Sequence, residues 1–299
     1  VDIKIEELDN DYYKNFIRNV NQVTSDDIMN VSNEYFNTNQ GAIIIAGKGS
    51  ELIDKLETLS YNDKKLNINY YDTAGNVIDK PDYSFDESVS VESIANEYID
   101  IIGGRDRLEK VESIELTGKA NLNMQGQSLV LEFYSLKNNQ NQSLNTVSAG
   151  GMVIQKSVFN KYQGYNEVNG QRIPLTDSEL ESAIIDSALF SELNYDFSTI
   201  ELVGTSDVND EKVYEIKITD NKTVYYSIES GLKVKEVEIT EVEGNQIVVE
   251  TTLNEYEEVS GVLLPSEINL VSPALPPGGI TIKASKIKLD VKTSDSDFN

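Results

Sequence analysis

A change in the spacing of apolar residues near position 112 constrains the fold of this chain more than any motif does. From Glu112 to Val291 apolar residues recur at every second position, whereas before Glu112 they follow the helical period of about 3.6. The first alternating run consists of Ile114, Leu116, Gly118, Ala120, Leu122 and Met124. Such alternation is typical of strands with one buried and one wet face, and turn residues such as Asn169-Gly170 separate the runs. The pattern predicts a long antiparallel meander.

Two helices accompany the predicted meander. One begins near Ser90 and ends at Gly103-Gly104, and the other follows Thr176, where Glu179 occupies the capping-box position. So long a sheet has more apolar surface than one covering helix can bury, and it must therefore curl, dimerise or hold a ligand. We predict an α+β fold in which a long curved antiparallel sheet, a half-barrel, carries a covering helix.

The first 60 residues predict a smaller α/β unit in the order helix, helix, strand, helix. Asp9 or Asn10 is the expected cap of the first helix, and Thr24 or Ser25 that of the second. The apolar positions expected to be buried are Tyr13, Phe16, Ile17, Val20, Ile28, Val31, Tyr35 and Phe36. The continuous apolar run 42–46 predicts a strand that is buried on both faces.

The segment between these two regions is polar and rich in turn signals. Residues 61–88 include the turn Asp72 to Asn76 and the breaker Lys80-Pro81-Asp82, so we expect a hairpin followed by a linker. The predicted domains are residues 1–62, a hairpin and linker at 63–88, and the half-barrel at 89–299.

The composition excludes several kinds of chemistry. The 299 residues include no His and no Cys, so a Ser-His-Asp triad, a Cys-His nucleophile, a disulfide and an ordinary zinc site have no residues to form them. With 25 basic and 51 acidic residues the net charge is −26, which disfavours nucleic acid and anionic lipid surfaces as partners. No apolar run reaches the roughly 18 residues of a membrane-spanning helix, and we expect none.

Three motif-like stretches are explained better as ordinary structure. Gly47 to Ser50 lacks the spacing of a phosphate loop and fits a strand-to-helix turn. Ser230 to Lys233 and Ser285 to Lys288 have the spacing of a Ser-Lys nucleophile, but they fall in predicted strands or turns instead of on a helix. The glutamates between 236 and 258 suit a cation site or a glycosidase pair, yet a solvated strand face is the default in so acidic a chain.

A set of large apolar residues in the β region is the candidate ligand site. Its members are Met124, Leu131, Phe133, Met152, Phe159, Leu189 and Phe190. These side chains fit either an ordinary core or a cavity for a hydrophobic ligand, and the excess of apolar sheet surface keeps the cavity open as an alternative. We predict no catalytic and no metal-binding residue in this chain.

Residues 1 to about 60 resemble the end of a pitrilysin/insulinase-family zinc peptidase. The similar stretches are Val20 to Ile28 at a helix start, Glu34 to Asn37 at the helix exit, and Ala42 to Gly47 at a closing strand. The resemblance implies a remnant of the second, often inactive, half of such a peptidase. That family binds zinc through His-x-x-Glu-His, and because this chain has no His, zinc is expected only in an upstream catalytic half.

Residues from about 90 onwards resemble the extra domain of some envelope peptidases of that family, a domain similar to the lipoprotein carriers of the LolA/LolB type. The similar stretches are Ile94 to Lys110, Gly150 to Val153, Asn169 to Gln171, Ala188 to Leu193, Tyr226 to Val237 and Gly261 to Pro265. The resemblance implies a half-barrel that binds something hydrophobic, and a location in the periplasm or at the outer membrane of a Gram-negative bacterium.

Two functional hypotheses follow, and a third ranks below them. In the first, the chain is the non-catalytic C-terminal portion of an envelope zinc peptidase, its partner is the upstream half or a peptidase subunit, and its β domain binds a hydrophobic segment. In the second, it is a stand-alone carrier of lipid or lipoprotein. A glycan-binding or glycosidase sheet ranks last because the chain has no Trp to form a sugar platform.

Overall fold

A computed structural model describes residues 11–36, 41–61, 63–72, 74–86, 88–124, 127–209, 211–242 and 245–299. The chain divides into two compact units, Val1–Leu52 and Ile53–Asn299. The predicted cap at Asp9 or Asn10, and parts of the predicted turns at 125–126 and 243–244, lie outside the described residues.

The first unit contains helices α1 (Tyr12–Gln22) and α2 (Ser25–Tyr35) and the start of α3 (Gly49–Glu57). Thr24 caps α2, because its hydroxyl accepts from the Asp27 amide at 3.2 Å while the Asp27 carboxylate accepts from the Thr24 amide. Both predicted helices are therefore confirmed. Their expected burial is wrong, since no residue of α1 or α2 is buried.

Residues 41–46 correct the prediction of a buried strand. The segment belongs to no strand, and Ile44 is 92% exposed. A strand buried on both faces requires paired strands beside it and helices over each face. The described residues of this unit contain no strand, so the apolar run and the apolar stripes of α1 and α2 have nothing to pack against there.

The second unit opens with two short hairpins. Strand β1 (Ser60–Tyr61) pairs with β2 (Lys64–Lys65), and β3 (Tyr70–Tyr71) pairs with β4 (Val77–Ile78). The extended segment that follows reaches the edge of the main sheet, where the Thr205 amide donates to the Tyr83 carbonyl at 3.4 Å.

Helix α4 (Val91–Ile102) leads into the main sheet and is followed by the short helix α5 (Arg105–Leu108). The Ser90 hydroxyl accepts from the Ser93 amide at 3.1 Å and so caps α4. Gly103 ends the helix at a φ of 146°, and a Cβ there would lie 2.7 Å from the Gly261 carbonyl oxygen. The predicted limits of this helix are confirmed.

Thirteen antiparallel strands form one open sheet. They are β5 (Ser113–Met124), β6 (Gln127–Asn138), β7 (Gln142–Ala149), β8 (Met152–Asn160), β9 (Gln163–Val168), β10 (Gln171–Pro174), β11 (Glu201–Val208), β12 (Glu211–Thr219), β13 (Lys222–Ser227), β14 (Lys233–Val242), β15 (Asn245–Val259), β16 (Val262–Val271) and β17 (Ile280–Leu289). Strands β5 to β10 form one meander and β11 to β17 another, and they join where β5 pairs with β17. Strands β10 and β11 are therefore the two edges.

The connection between these edges carries helix α6 (Asp177–Ser187) and a 3₁₀ turn (Ser191–Asn194). Thr176 and Glu179 form the predicted capping box of α6. Lys137 of β6 and Lys222 of β13 both contact Asp186 at the end of this helix. Those strands are six steps apart in the sheet, or about 29 Å at ~4.8 Å per step, so the sheet must curl towards α6. The α+β class and the curved, open antiparallel sheet are confirmed.

The C-terminal segment packs on the convex face of the sheet. Its 3₁₀ turn (Asp295–Phe298) places Phe298, which is 1% exposed, against Leu136 and Val158. These two strand residues have the opposite orientation to Lys137, because successive side chains of a strand point to opposite faces. The concave face is therefore the one that remains for the helices and for a ligand.

Candidate functional site

The concave face divides into a filled half and an open half. On strands β12, β13, β16 and β17, helix α4 covers the face and forms the main core with Ile216, Val224, Tyr226 and Val262. Two predicted site residues, Leu189 and Phe190, pack into this core. In that half of the sheet the apolar residues therefore form a packed core and do not line a cavity.

The open half contains a continuous apolar surface that we call the apolar floor. It consists of Ala120, Leu122, Leu129, Leu131, Phe133, Val147, Ala149, Met152 and Ile154. Leu131 is buried, Phe133 and Val147 are half-buried, and Met152 is 71% exposed. Leu275, from the loop between β16 and β17, packs against the floor.

The structure brings together three of the seven predicted site residues. Leu131, Phe133 and Met152 lie on the apolar floor. Phe159 points to the same face but is 2% exposed. Met124 ends strand β5, and its side chain lies outside the described residues.

A row of polar side chains runs beside the apolar floor on the same face. Ser135, Asn145, Ser157 and Asn166 are consecutive cross-strand partners from β6 to β9, and we call them the polar row. Each of the four is separated by two positions along its strand, or about 7 Å, from the next residue that points to the same face. None of the four forms a side-chain hydrogen bond with another described residue, and Asn145 is exposed.

Helix α6 borders the polar row on its other side. The Leu175 amide donates to the Gly164 carbonyl at 3.0 Å on β9, and Lys137 Nζ donates to the Asp186 carbonyl at 2.6 Å on β6. The 11 residues between these contacts rise about 16 Å in a helix, close to the ~14 Å of three strand spacings. The segment from Leu175 to Asp186 therefore runs from β9 to the side chain of Lys137 on β6.

The end of α6 and the 3₁₀ turn are held to the sheet by a network of buried charges. This ionic network consists of Lys137, Lys222, Lys233, Asp186, Glu192 and Glu236. Lys233 Nζ lies 2.9 Å from Glu192 Oε1 and 2.8 Å from Glu236 Oε1, and Lys222 contacts both Asp186 and Glu236. Every cation of the network therefore has an oxygen partner.

The pKa values of the network follow from burial and pairing. Burial would lower the pKa of Lys222, but the carboxylates of Glu236 and Asp186 outweigh it and raise that pKa. Burial would likewise raise the pKa of Glu236, but Lys233 and Lys222 hold it at about 2. Burial lowers the pKa of Lys137, whose Nζ donates to a carbonyl oxygen and not to a carboxylate.

Neither the polar row nor the ionic network follows from sequence reasoning on apolar residues alone. The polar row is visible in sequence only after the strand registers are known, because its members come from four different strands. The network brings together residues that are far apart in sequence, such as Lys137, Asp186 and Glu236, which are separated by 49 and 50 positions. The run of glutamates at 236–258 was the nearest signal, and Glu236 is indeed paired and not simply solvated.

The other surfaces of the described residues contain no comparable candidate site. Depressions of about 450 and 370 Å³ lie beside Glu211 and Ile228, and beside Val248 and Pro276, and neither contains a predicted site residue. Among the described residues no three His, Cys, Asp or Glu side chains converge as they would to hold a metal ion. No helix of the described segments is both long and apolar enough to cross a membrane.

Comparison with known proteins finds similarity only among solved structures. No family model and no curated protein matches the sequence. A LolA-superfamily protein from Nitrosomonas europaea is 15% identical with a TM-score of 0.48, and the match covers 71% of this chain and 98% of that one. A DUF1329-family protein from Desulfovibrio piger is 12% identical with a TM-score of 0.46 and the same coverage.

A third similar structure is a putative outer-membrane lipoprotein-sorting protein domain from Vibrio parahaemolyticus. It is 11% identical with a TM-score of 0.42, and the match covers 70% of this chain and 95% of that domain. Identities and TM-scores this low leave the ligand and partners of the present chain to be argued from its own residues.

Proposed function

We propose that this chain binds the apolar part of an amphiphile, a lipid or a lipid-modified polypeptide, on its apolar floor, as a carrier of the cell envelope. The observation that carries the proposal is the part of the apolar floor that stays exposed. Half-buried and exposed apolar residues such as Phe133, Val147 and Met152 form one continuous surface beside the polar row. Exposed apolar surfaces of this kind commonly mark binding sites.

The open shape of the floor sets the expected strength of binding. Full burial of an acyl chain of about 12 methylenes at ~0.8 kcal/mol each would contribute on the order of 10 kcal/mol. A groove that covers one side of the chain buries roughly half of it, which leaves on the order of 5 kcal/mol and a dissociation constant between millimolar and micromolar. Such affinity suits a carrier that must release its load.

A pair of adjacent residues provides a direct test. Met152 and Val153 are both exposed, but Met152 pairs with Ala149 on the concave face, whereas Val153 pairs with Ser148 on the convex face. We expect the uncharged dye Nile red to bind the protein, a monoacylglycerol to displace it, and Met152→Glu to weaken binding at least fivefold.

Val153→Glu is the matched control and should leave dye binding unchanged. Loss of binding in both variants would point to a general effect on the sheet, and equal binding in both would remove the apolar floor as the site. Native mass spectrometry of the purified protein gives a second readout, in which co-purified lipid supports the carrier function.

The first unit favours a second candidate function, a non-catalytic C-terminal portion of an envelope zinc peptidase. The observation is the exposure of its apolar residues, among them Ile17, Tyr35 and Ile44. We propose that residues 1–62 complete an α/β domain of an upstream peptidase half or subunit, with 63–88 as hairpin and linker and 89–299 as the carrier-like domain.

Hydrogen exchange of the isolated chain tests this second candidate. If a partner must cover the first unit, the amides of residues 11–36 should exchange much faster than those of the sheet. Strong protection in the isolated chain would contradict the need for a partner, and zinc-dependent cleavage of unfolded peptides by this chain would contradict its non-catalytic role.

A further inference from the structure

The concave face of strands β5 to β10 is free of acidic side chains in an otherwise strongly acidic protein. The acidic residues of these strands are Glu115, Glu132 and Glu167. All three point to the convex face, as their pairing with Lys288, Lys119 and Arg172 shows. Among the described residues the only charged side chain of these strands on the concave face is Lys137.

Lys137 does not offer its charge to a ligand. Its Nζ donates to the Asp186 carbonyl at 2.6 Å, and the carboxylates of Asp186 and Glu236 attract its charge. The strands beside the apolar floor therefore offer a ligand no free charge on this face, and their polar groups there are the hydroxyls and amides of the polar row. Gln155, which is exposed and lies on the next row, adds another amide.

The chemistry of the polar row matches a headgroup that both donates and accepts hydrogen bonds. Serine hydroxyls and asparagine amides each offer a donor and an acceptor, as sugar hydroxyls and amides also do. A cationic head would find acceptors but no carboxylate there. An anionic head would find donors but no free cation, and the net charge of −26 would repel it.

From this placement we propose that the polar row selects amphiphiles whose headgroup is uncharged and rich in hydroxyl or amide groups, with the acyl chain on the apolar floor. The inference rests on the proposed binding function and adds the class of headgroup. The four side chains are spaced by one strand each, about 4.8 Å, so a headgroup of two or three hydroxyl-bearing units spans the row.

Competition among amphiphiles with the same chain length tests the proposal. Nile red is displaced with dodecyl maltoside, laurate or dodecyltrimethylammonium, each below its critical micelle concentration and at 0.15 M salt. We expect dodecyl maltoside to displace the dye at a concentration at least tenfold lower than either charged amphiphile. Equal or better displacement by laurate or by the ammonium amphiphile would overturn the proposal.

A charge introduced in the polar row should change the ranking. Asn145→Asp keeps the shape of an exposed side chain, and we expect it to weaken displacement by dodecyl maltoside and to strengthen displacement by the ammonium amphiphile about tenfold. Thr146→Asp adds the same charge on the convex face, opposite Lys156, and should leave the ranking unchanged. If both variants shift the ranking equally, general charge and not the polar row determines it.

The outcomes separate this inference from the function on which it rests. If Nile red does not bind, or if binding survives Met152→Glu unchanged, the binding function itself fails. If the dye binds to the apolar floor but the three amphiphiles do not differ, only the headgroup inference fails.

Discussion

The hydroxyl of Tyr226 donates to Glu192 Oε1 at 2.8 Å, and both side chains are almost completely buried. Tyr226 lies on β13, whereas Glu192 belongs to the 3₁₀ turn of the segment that connects the two sheet edges. Lys233 contacts the same carboxylate oxygen at 2.9 Å. A tyrosine and a lysine therefore hold the crossing segment to β13 and β14, beside the main core.

Removal of the Tyr226 hydroxyl should destabilise the protein. Tyr226→Phe leaves the buried Glu192 carboxylate with one partner fewer, and we expect a loss of about 2 kcal/mol in the free energy of unfolding. Urea denaturation followed by circular dichroism measures it. Tyr214 is the cross-strand neighbour of Tyr226 and its hydroxyl has no hydrogen-bond partner among the described residues. Tyr214→Phe should therefore stay within about 0.5 kcal/mol of the wild type, and equal losses would contradict the argument.

The attachment of α6 to the far side of the sheet depends on Lys222. Lys222→Met leaves Asp186 without its ion pair and takes one of two cations from Glu236, and we expect a loss of about 3 kcal/mol in the free energy of unfolding. The comparison variant is Lys217→Met, which removes a pair with the exposed Asp220 and should leave the free energy of unfolding nearly unchanged. The amides of α6 should also exchange faster in Lys222→Met than in the wild type. If their exchange is unchanged, the lost stability does not come from the attachment of α6.

Acid should destabilise the protein through Glu236. Burial alone would raise its pKa, but Lys233 and Lys222 hold the folded pKa at about 2, below the ordinary 4.5. Because the folded pKa is the lower one, the stabilisation is complete above pH 4.5 and is lost as pH falls towards 2. The loss from this group is on the order of 3 kcal/mol.

Glu236→Gln should be less stable than the wild type at neutral pH. In urea melts between pH 5 and pH 2 it should also lose less stability on acidification than the wild type does. Glu229 is exposed and supplies the control, since Glu229→Gln should keep the wild-type dependence on pH. A Glu236→Gln protein that loses as much stability as the wild type between pH 5 and pH 2 would show that other carboxylates cause the acid destabilisation.

The sequence predicts the strands of the half-barrel well, because the alternation of apolar and polar residues is visible within each strand. Ile114 to Leu122 alternate as expected, and both φ values in the turn Asn169-Gly170 are positive, as a two-residue hairpin requires. Burial in the first unit was not predictable in the same way. The apolar face of α1 predicts that the helix packs against an apolar surface, but the described residues of the first unit do not provide that surface.

The candidate site shows the same limit. Leu131, Phe133 and Met152 share a face because strands β6 to β8 are joined by tight turns, and alternation suffices to predict that much. Phe159 has the same orientation but is 2% exposed, and nothing in the alternation of β8 distinguishes it from the exposed Met152. Cross-strand registers and ion pairs between distant segments are decided by the whole fold, so a local pattern does not reveal them.

The packing of the C-terminus on the convex face gives the last prediction. Phe298 is 1% exposed and contacts the cluster of Leu136 and Val158, so Phe298→Ala leaves a cavity that the sheet cannot close. We expect a loss of about 3 to 5 kcal/mol in the free energy of unfolding. Phe85, which is 37% exposed, provides a control of the same type, and Phe85→Ala should cost less than about 1 kcal/mol. Because the lesion lies on the convex face, Nile red should still bind the folded variant with the wild-type affinity. A folded Phe298→Ala protein that has lost dye binding would instead place the ligand on the convex face.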